Sequence, residues 1–154
     1  MGLFQIDLFK LAQGEYIAVE AVETAYMRSP MISQIWVWGD PLANFLVAVV
    51  VPEFSTFRPH LQQKLGIGSG TPAPSNAELC ADPRVKEAMM EVMDGQARDA
   101  KLLGFQKVRA IILESVAWTV ESDLITPTMK NRRKALQAKY DKAIKELYLE
   151  LNNK

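Results

Sequence analysis

Two segments near opposite ends of the chain each combine a lysine with residues that interrupt regular structure. The later segment is TPTMK (Thr126 to Lys130). Pro127 removes a backbone donor and pushes Thr126 towards extended geometry, which predicts that Lys130 lies at the entrance of the last helix. Exposed amides at a helix entrance favour an anionic ligand, and a mobile ammonium there can act as a point-charge clamp for phosphate. The same residues also fit an ordinary surface lysine beside a capped helix.

The earlier segment is FKLAQGEYIAVEAVE (Phe9 to Glu23), in which Lys10 leads into a turn at Gly14. Taken singly, Lys10 and Glu15 fit ordinary turn chemistry. The nine-residue string FKLAQGEYI taken together is a more specific sequence signal than any of its residues alone.

A predicted strand and a predicted helix surround the earlier segment. The strand covers Leu3 to Phe9, and the helix covers Val19 to Arg28 and ends before Pro30. Apolar residues at helical spacing form one face of this helix, and Glu20 and Glu23 are expected elsewhere. These apolar residues are Val19, Val22, Ala25 and Tyr26.

Two strands, Ile32 to Trp38 and Asn44 to Val51, are predicted to form a β-hairpin. The second contains the nearly continuous apolar run LVAVVV, which is typical of a central strand that is covered on both faces. Trp36 and Trp38 alternate with Val37. One face is therefore expected in the core, and the other is expected to expose an aromatic side chain to another subunit.

The second half is predicted to contain three helices and one strand. The helices are Phe54 to Leu65, a segment from Asp82-Pro83 to Gly104, and a long amphipathic final helix; the strand is Val108 to Leu113. Residues 66–76, rich in Gly, Pro and Ser, are predicted to form a flexible loop. Helices and strands that mix without strict alternation indicate an α+β fold.

Composition narrows the class of protein. The 154 residues fit a single domain, 1–154, whose 18 basic and 18 acidic residues balance. Because the charges of the chain balance, nucleic-acid binding through the basic last helix is a weak candidate, and we expect no nucleic-acid partner. Cys80 is the only cysteine, which suits an intracellular, reducing compartment, and the longest apolar run is far shorter than the roughly 20 residues of a membrane span. His60 is the only histidine, so no metal site is expected; we interpret His60 as a surface residue and Cys80 as a half-buried structural residue.

The string FKLAQGEYI and the segment TPTMK, together with Arg133 and the final helix, resemble the C-terminal lid domain of adenylate-forming enzymes, specifically the long-chain acyl-CoA synthetases. The resemblance implies a small mixed sheet flanked by helices. It implies that Lys130 is catalytic, contacting the α-phosphate of ATP and the fatty-acid carboxylate while acyl-adenylate forms. It also implies that the loop of Lys10, Gln13, Gly14 and Glu15 lines the path of CoA during thioester formation. Glu20 and Glu23 match an acidic pair of the family, which we interpret as mainly structural.

The resemblance implies that ATP, with Mg²⁺, and CoA are substrates of a complete fatty acid–CoA ligase. The partner would be an N-terminal adenylate-forming domain, which this sequence does not contain, so the isolated chain is expected to be inactive and to hold no ligand. Leu3 to Ile6 lacks the arginine that the family places before the loop. The alternative is therefore a catalytically inactive copy of the domain that serves as a structural or binding subunit of a larger assembly.

Overall fold

A computed structural model describes residues 8–11, 14, 16–68, 70 and 72–152 of the chain. Within these ranges the elements follow in the order β1 (Leu8–Lys10), β2 (Tyr16–Ala18), α1 (Val19–Met27), β3 (Ile32–Gly39), β4 (Leu46–Pro52), α2 (Phe54–Leu65), α3 (Asn76–Ala81), α4 (Pro83–Asp99), β5 (Val108–Leu113) and α5 (Arg133–Asn152). Of the predicted first strand, residues 3–7 lie outside the described residues.

The strands form two separate sheets. In the larger sheet the order is β3-β4-β5, in which β3 and β4 are antiparallel and β4 and β5 are parallel. β1 and β2 form a small antiparallel hairpin. The larger sheet is mixed and helices flank it, which confirms the α+β prediction.

β4 is buried along its whole length, as its apolar run predicts. Leu46, Ala48 and Val50 pack in a core with α1, α2 and α4. Val47, Val49 and Val51 face the opposite way and pack in a second core with α5. Because successive side chains of a strand point to opposite faces, one central strand serves both cores.

Helix α1 confirms the predicted apolar face, since Val19, Val22, Ala25 and Tyr26 are all buried. The prediction for Glu23 is wrong, because this residue is also buried, with 8% of its surface exposed. At 3.6 residues per turn, Glu23 follows Val19 by one turn and shares its face. Glu20 is exposed, as expected.

Helix α4 begins as predicted, because Asp82 accepts a hydrogen bond from the Arg84 backbone N–H (2.9 Å) and Pro83 occupies the first helical position. It ends at Asp99, short of Gly104, where the chain turns into the left-handed conformation of Lys101 (φ 57°). The short helix α3 was not predicted. Ser75 and Glu78 form a capping box at its start, so the predicted loop 66–76 ends at Ser75; residues 69 and 71 of that loop lie outside the described residues.

The expectation of an exposed tryptophan on β3 is wrong. Trp36 is 1% exposed, and the partly buried Trp38 packs beside it with ring centroids 5.8 Å apart. Helix α5 covers this face of the sheet and stacks Tyr140 near Trp36. Among the described residues, no helix combines the length and apolar character needed to cross a bilayer.

Candidate functional site

A cleft of about 490 Å³ opens between α1, β3 and the segment that leads into α5. Polar and charged side chains from all three elements line it, together with exposed methionines at its rim. The lining residues are Glu20, Glu23, Thr24, Met27, Ser33, Gln34, Ile35, Ile125, Thr126, Met129, Lys130, Asn131 and Arg133.

Lys130 lies on a tight loop at the cleft. The Thr126 backbone N–H donates to the Lys130 carbonyl (2.8 Å), and the Lys130 N–H donates to Thr126 Oγ1 (3.1 Å). Met129 closes the loop in the left-handed region (φ 67°), a conformation that is uncommon for a residue with a side chain. The Lys130 side chain is exposed, and its ammonium makes no ion pair with a residue that the structure describes.

The same loop is tied to the body of the fold at its C-terminal end. Asn131 pairs with Ile125 as an antiparallel bridge, and its side-chain Nδ2 donates to the Ile35 carbonyl on β3 (2.9 Å). The Arg132 backbone N–H donates to the Leu124 carbonyl (2.9 Å). Helix α5 begins at Arg133, so Lys130 precedes the helix entrance as predicted.

A largely buried ion pair, with Glu23 10% and Arg133 20% exposed, joins α1 to the first residue of α5. Arg133 Nη2 donates to Glu23 Oε1 (2.6 Å) and Nη1 donates to Oε2 (3.1 Å), a bidentate geometry. Glu23 Oε2 also accepts from the Val37 backbone N–H on the edge strand β3 (2.7 Å). Burial raises the pKa of Glu23, and the Arg133 guanidinium and the Val37 N–H oppose this rise only in part. The two motifs at opposite ends of the chain therefore meet at this carboxylate.

The hairpin β1-β2 carries the earlier motif. The Gly14 N–H donates to the Leu11 carbonyl (2.9 Å), and Gly14 has a φ of 93°, which favours glycine. Leu11 is buried in the core and anchors the turn, whereas Gly14 is exposed with no atom within 4 Å of an added Cβ. Lys10 is exposed and lies 5.5 Å from the centroid of the Tyr16 ring.

Two further members of the predicted CoA-facing loop, Gln13 and Glu15, lie outside the described residues. Of the described members, neither Lys10 nor Gly14 lines the cleft of Lys130. The earlier segment therefore reaches the Lys130 cleft through Glu20 and Glu23, and not through the described members of the predicted CoA-facing loop.

Cys80 and His60, the only cysteine and the only histidine of the sequence, are both partly buried. Cys80 is half-buried, as predicted, and burial raises the pKa of its thiol to about 11, which makes it a poor nucleophile near neutral pH. His60 lies on α2 and is partly exposed, as a surface helix residue can be, although its Nε2 is shielded from solvent and its ring centroid lies 6.1 Å from that of Phe57.

Sequence reasoning missed the role of Glu23 as a link between the two motifs. The helical spacing of Glu23 from Val19 and Tyr26 was the available signal, since it places the carboxylate among buried residues. The identity of its partner, Arg133, has no local signal.

Several characterised proteins are similar to this chain. It is 42% identical over 141 residues to long-chain-fatty-acid–CoA ligase 6 of Homo sapiens, and the match covers 92% of the chain and 19% of that protein. It is 37% identical over 144 residues to fatty acyl-CoA synthetase A of Dictyostelium discoideum, covering 94% of the chain and 21% of the relative. No model of a protein family matches the chain.

Solved structures share its fold. The adenylation domain of a carboxylate reductase from Mycobacterium chelonae superposes with a TM-score of 0.74 at 30% identity, covering 92% of this chain and 19% of the other. The adenylation and carrier didomain of a carboxylic acid reductase from Segniliparus rugosus, solved in complex with AMP, gives a TM-score of 0.72 at 29% identity, covering 95% and 18%. The chain thus spans about a fifth of the relatives and structures that it matches.

Proposed function

We propose that this chain, which is similar over 92% of its length to a long-chain fatty acid–CoA ligase and has the fold of the C-terminal domain of adenylate-forming enzymes, acts as the lid of such a ligase. In this function it closes over a separate adenylate-forming domain and supplies Lys130 for the formation of a fatty acyl-adenylate from ATP.

The position of Lys130 carries this proposal. Its exposed ammonium lies at the cleft without a counter-ion among the described residues, on a loop fixed by Thr126 and Asn131. The fixed loop limits where the flexible ammonium can reach, so little backbone reorganisation is needed when negative charge develops on a phosphate and on the fatty-acid carboxylate. Such preorganised electrostatic stabilisation typically contributes about 100- to 1,000-fold in rate per donor.

The hairpin turn would serve the second half-reaction, in which CoA attacks the acyl-adenylate. Gly14 supports this assignment, because its exposed backbone has open space above it through which a narrow thiol-bearing arm can approach. Lys10 would flank that path, and we extend the proposal to Gln13 and Glu15 on the sequence alone. Because neither Lys10 nor Gly14 lines the Lys130 cleft, we infer that the domain reorients between the two half-reactions.

ATP and CoA would be substrates of the complete ligase. The described residues contain no group of three or more His, Cys, Asp or Glu side chains that could hold a metal ion. We therefore assign Mg²⁺ to the nucleotide and the adenylate-forming domain.

The test uses a chimera in which this chain replaces the equivalent segment of the human ligase 6. We expect Lys130→Ala to slow acyl-adenylate formation, measured by pyrophosphate release, by about 100- to 1,000-fold. Thioester formation from preformed acyl-adenylate should change little. Lys134→Ala, which removes another exposed lysine next to the same loop, is the matched control and should leave both steps near the parent rate.

Two results would refute the proposal. One is an unchanged adenylation rate in the Lys130→Ala chimera, and the other is an equal loss of both half-reactions. A parent chimera without ligase activity would instead favour the alternative of a catalytically inactive structural or binding subunit. The structure gives that alternative no support at Trp36, which is buried.

A further inference from the structure

We propose that the Glu23–Arg133 pair is a positioning device that fixes the loop of Lys130 against α1 and thereby sets the rate of adenylation. This inference rests on the proposed function of Lys130 and assigns roles to two residues that do not themselves touch substrate.

A short chain of contacts leads from the pair to the loop that carries Lys130. Arg133 is the first residue of α5, and the bidentate contact holds its guanidinium in one orientation against Glu23. The backbone N–H of Arg132 donates to the Leu124 carbonyl, and the side chain of Asn131 donates to a carbonyl of β3. The loop that carries Lys130 therefore has little freedom at the end nearest the helix.

Glu23 is itself held from two sides. Its carboxylate accepts from the backbone of β3 as well as from Arg133, and the side chain is 10% exposed. It connects the central sheet, α1 and α5 at one point. Because the Val37 N–H fixes the carboxylate of Glu23 against β3, the bond to Glu23 also fixes the position of Arg133 at the start of α5.

Stability alone does not explain the pair. A buried ion pair loses the hydration of both charges, and apolar replacements of such pairs are often as stable. Burial raises the pKa of Glu23 even with the guanidinium in contact, so the attraction does not fully offset the lost hydration. The pair contributes orientation, because two parallel hydrogen bonds fix both the distance and the angle between the guanidinium and the carboxylate.

The neighbouring Arg132 provides an internal contrast. It has the same charge and lies next to Arg133, but its side chain is 53% exposed and its contact with Asp123 is long, at 3.6 Å. Such an exposed pair contributes little. Arg133→Lys and Arg132→Lys both retain charge, and only the first removes a bidentate contact at the cleft.

The experiment measures both half-reactions of the chimera described above, carrying Arg133→Lys, Glu23→Gln or Arg132→Lys. Because a misplacement of about 1 Å can cost about 100-fold in rate, we expect Arg133→Lys and Glu23→Gln to slow acyl-adenylate formation by roughly 10- to 100-fold. The KM for ATP and the rate of thioester formation should stay within about twofold, and Arg132→Lys should match the parent in every parameter.

A second readout uses the 154-residue chain without any partner. Amide hydrogen exchange should become faster at Thr126 and Arg132 in the Arg133→Lys chain, while exchange in β4 stays unchanged, because only the loop is released. Faster exchange throughout the chain would instead indicate a merely structural role.

The outcomes separate this inference from the proposed function. An adenylation rate equal to the parent in Arg133→Lys, or an equal loss of both half-reactions, would overturn the positioning role. If Lys130→Ala leaves adenylation unchanged, the proposed function fails and the catalytic part of this inference fails with it. The exchange measurement would still decide whether the pair holds the loop.

Discussion

Replacement of Glu23 separates the hydrogen bonds that this side chain accepts from the negative charge that it carries. Glu23→Ala removes all three bonds, to the Val37 N–H (2.7 Å) and to the two Arg133 nitrogens (2.6 and 3.1 Å). A buried N–H without an acceptor costs about 1–3 kcal/mol. Breaking a buried pair by removing one partner costs about 3–5 kcal/mol. We therefore expect Glu23→Ala to lower the free energy of unfolding by about 3–5 kcal/mol.

Glu23→Gln should cost less, about 1–3 kcal/mol, because the amide leaves one Arg133 nitrogen without an acceptor. The amide keeps a carbonyl oxygen as acceptor and resembles the protonated carboxyl, which burial favours by raising the pKa of Glu23. Since the folded pKa exceeds the ordinary value of 4.5, the stability that Glu23 contributes by titration is complete below pH 4.5 and is lost as the pH rises through the folded pKa. The advantage of the parent chain over Glu23→Gln should thus be largest in acid and shrink towards neutral pH.

Urea unfolding followed by tryptophan fluorescence measures these differences, because Trp36 and Trp118 are both buried. Glu20→Gln is the matched control, since Glu20 lies on the same helix with its side chain exposed, and it should change stability by less than about 0.5 kcal/mol. The reasoning is refuted if Glu23→Gln destabilises the chain as much as Glu23→Ala does. A parent advantage that grows from pH 4.5 to pH 7 would also refute it.

Two further predictions concern the thiol and the hairpin turn. Because burial raises the pKa of Cys80 from 9.0 to about 11, its thiolate fraction at pH 8 should be about 100-fold lower than normal. Modification by an aromatic disulfide should be correspondingly slower in the folded chain than in guanidinium, and equal rates would contradict the assignment. Gly14→Ala should lower the free energy of unfolding by about 1–2 kcal/mol, because its φ of 93° strains a residue with a side chain. A clash does not contribute, since the added Cβ meets no atom within 4 Å. Gly70→Ala is the control, because Gly70 is equally open but has no positive φ, and it should not destabilise the chain. If both variants lose the same free energy of unfolding, strain at Gly14 is not the cause.

Local signals accounted for most of the elements. Asp82 and Pro83 predicted the start of α4, and the run LVAVVV predicted a strand buried on both faces. Helix α3 was missed because its six residues are too few for a hydrophobic period to emerge beside a loop rich in Gly and Pro. Its capping box, Ser75 with Glu78, was the signal that could have identified it.

The burial of Trp36 and Trp38 could not be predicted from their own strand. Alternation along β3 defines two faces, and both faces of this sheet are covered. Helix α5, which lies about a hundred residues further along the chain, covers the tryptophan face. Only the arrangement of distant elements decides which side of a short strand meets solvent.

The sequence by itself determined the two motifs, the turn that requires Gly14 and the placement of Lys130 just before a helix, because proline and glycine restrict the backbone locally. The tertiary structure alone decided that Glu23 and Arg133 meet, and that neither Lys10 nor Gly14 lines the Lys130 cleft. The physical reason is that an ion pair depends on distance in space. Periodicity along the chain specifies which face of a helix or strand a residue occupies, but it does not show which element packs against that face.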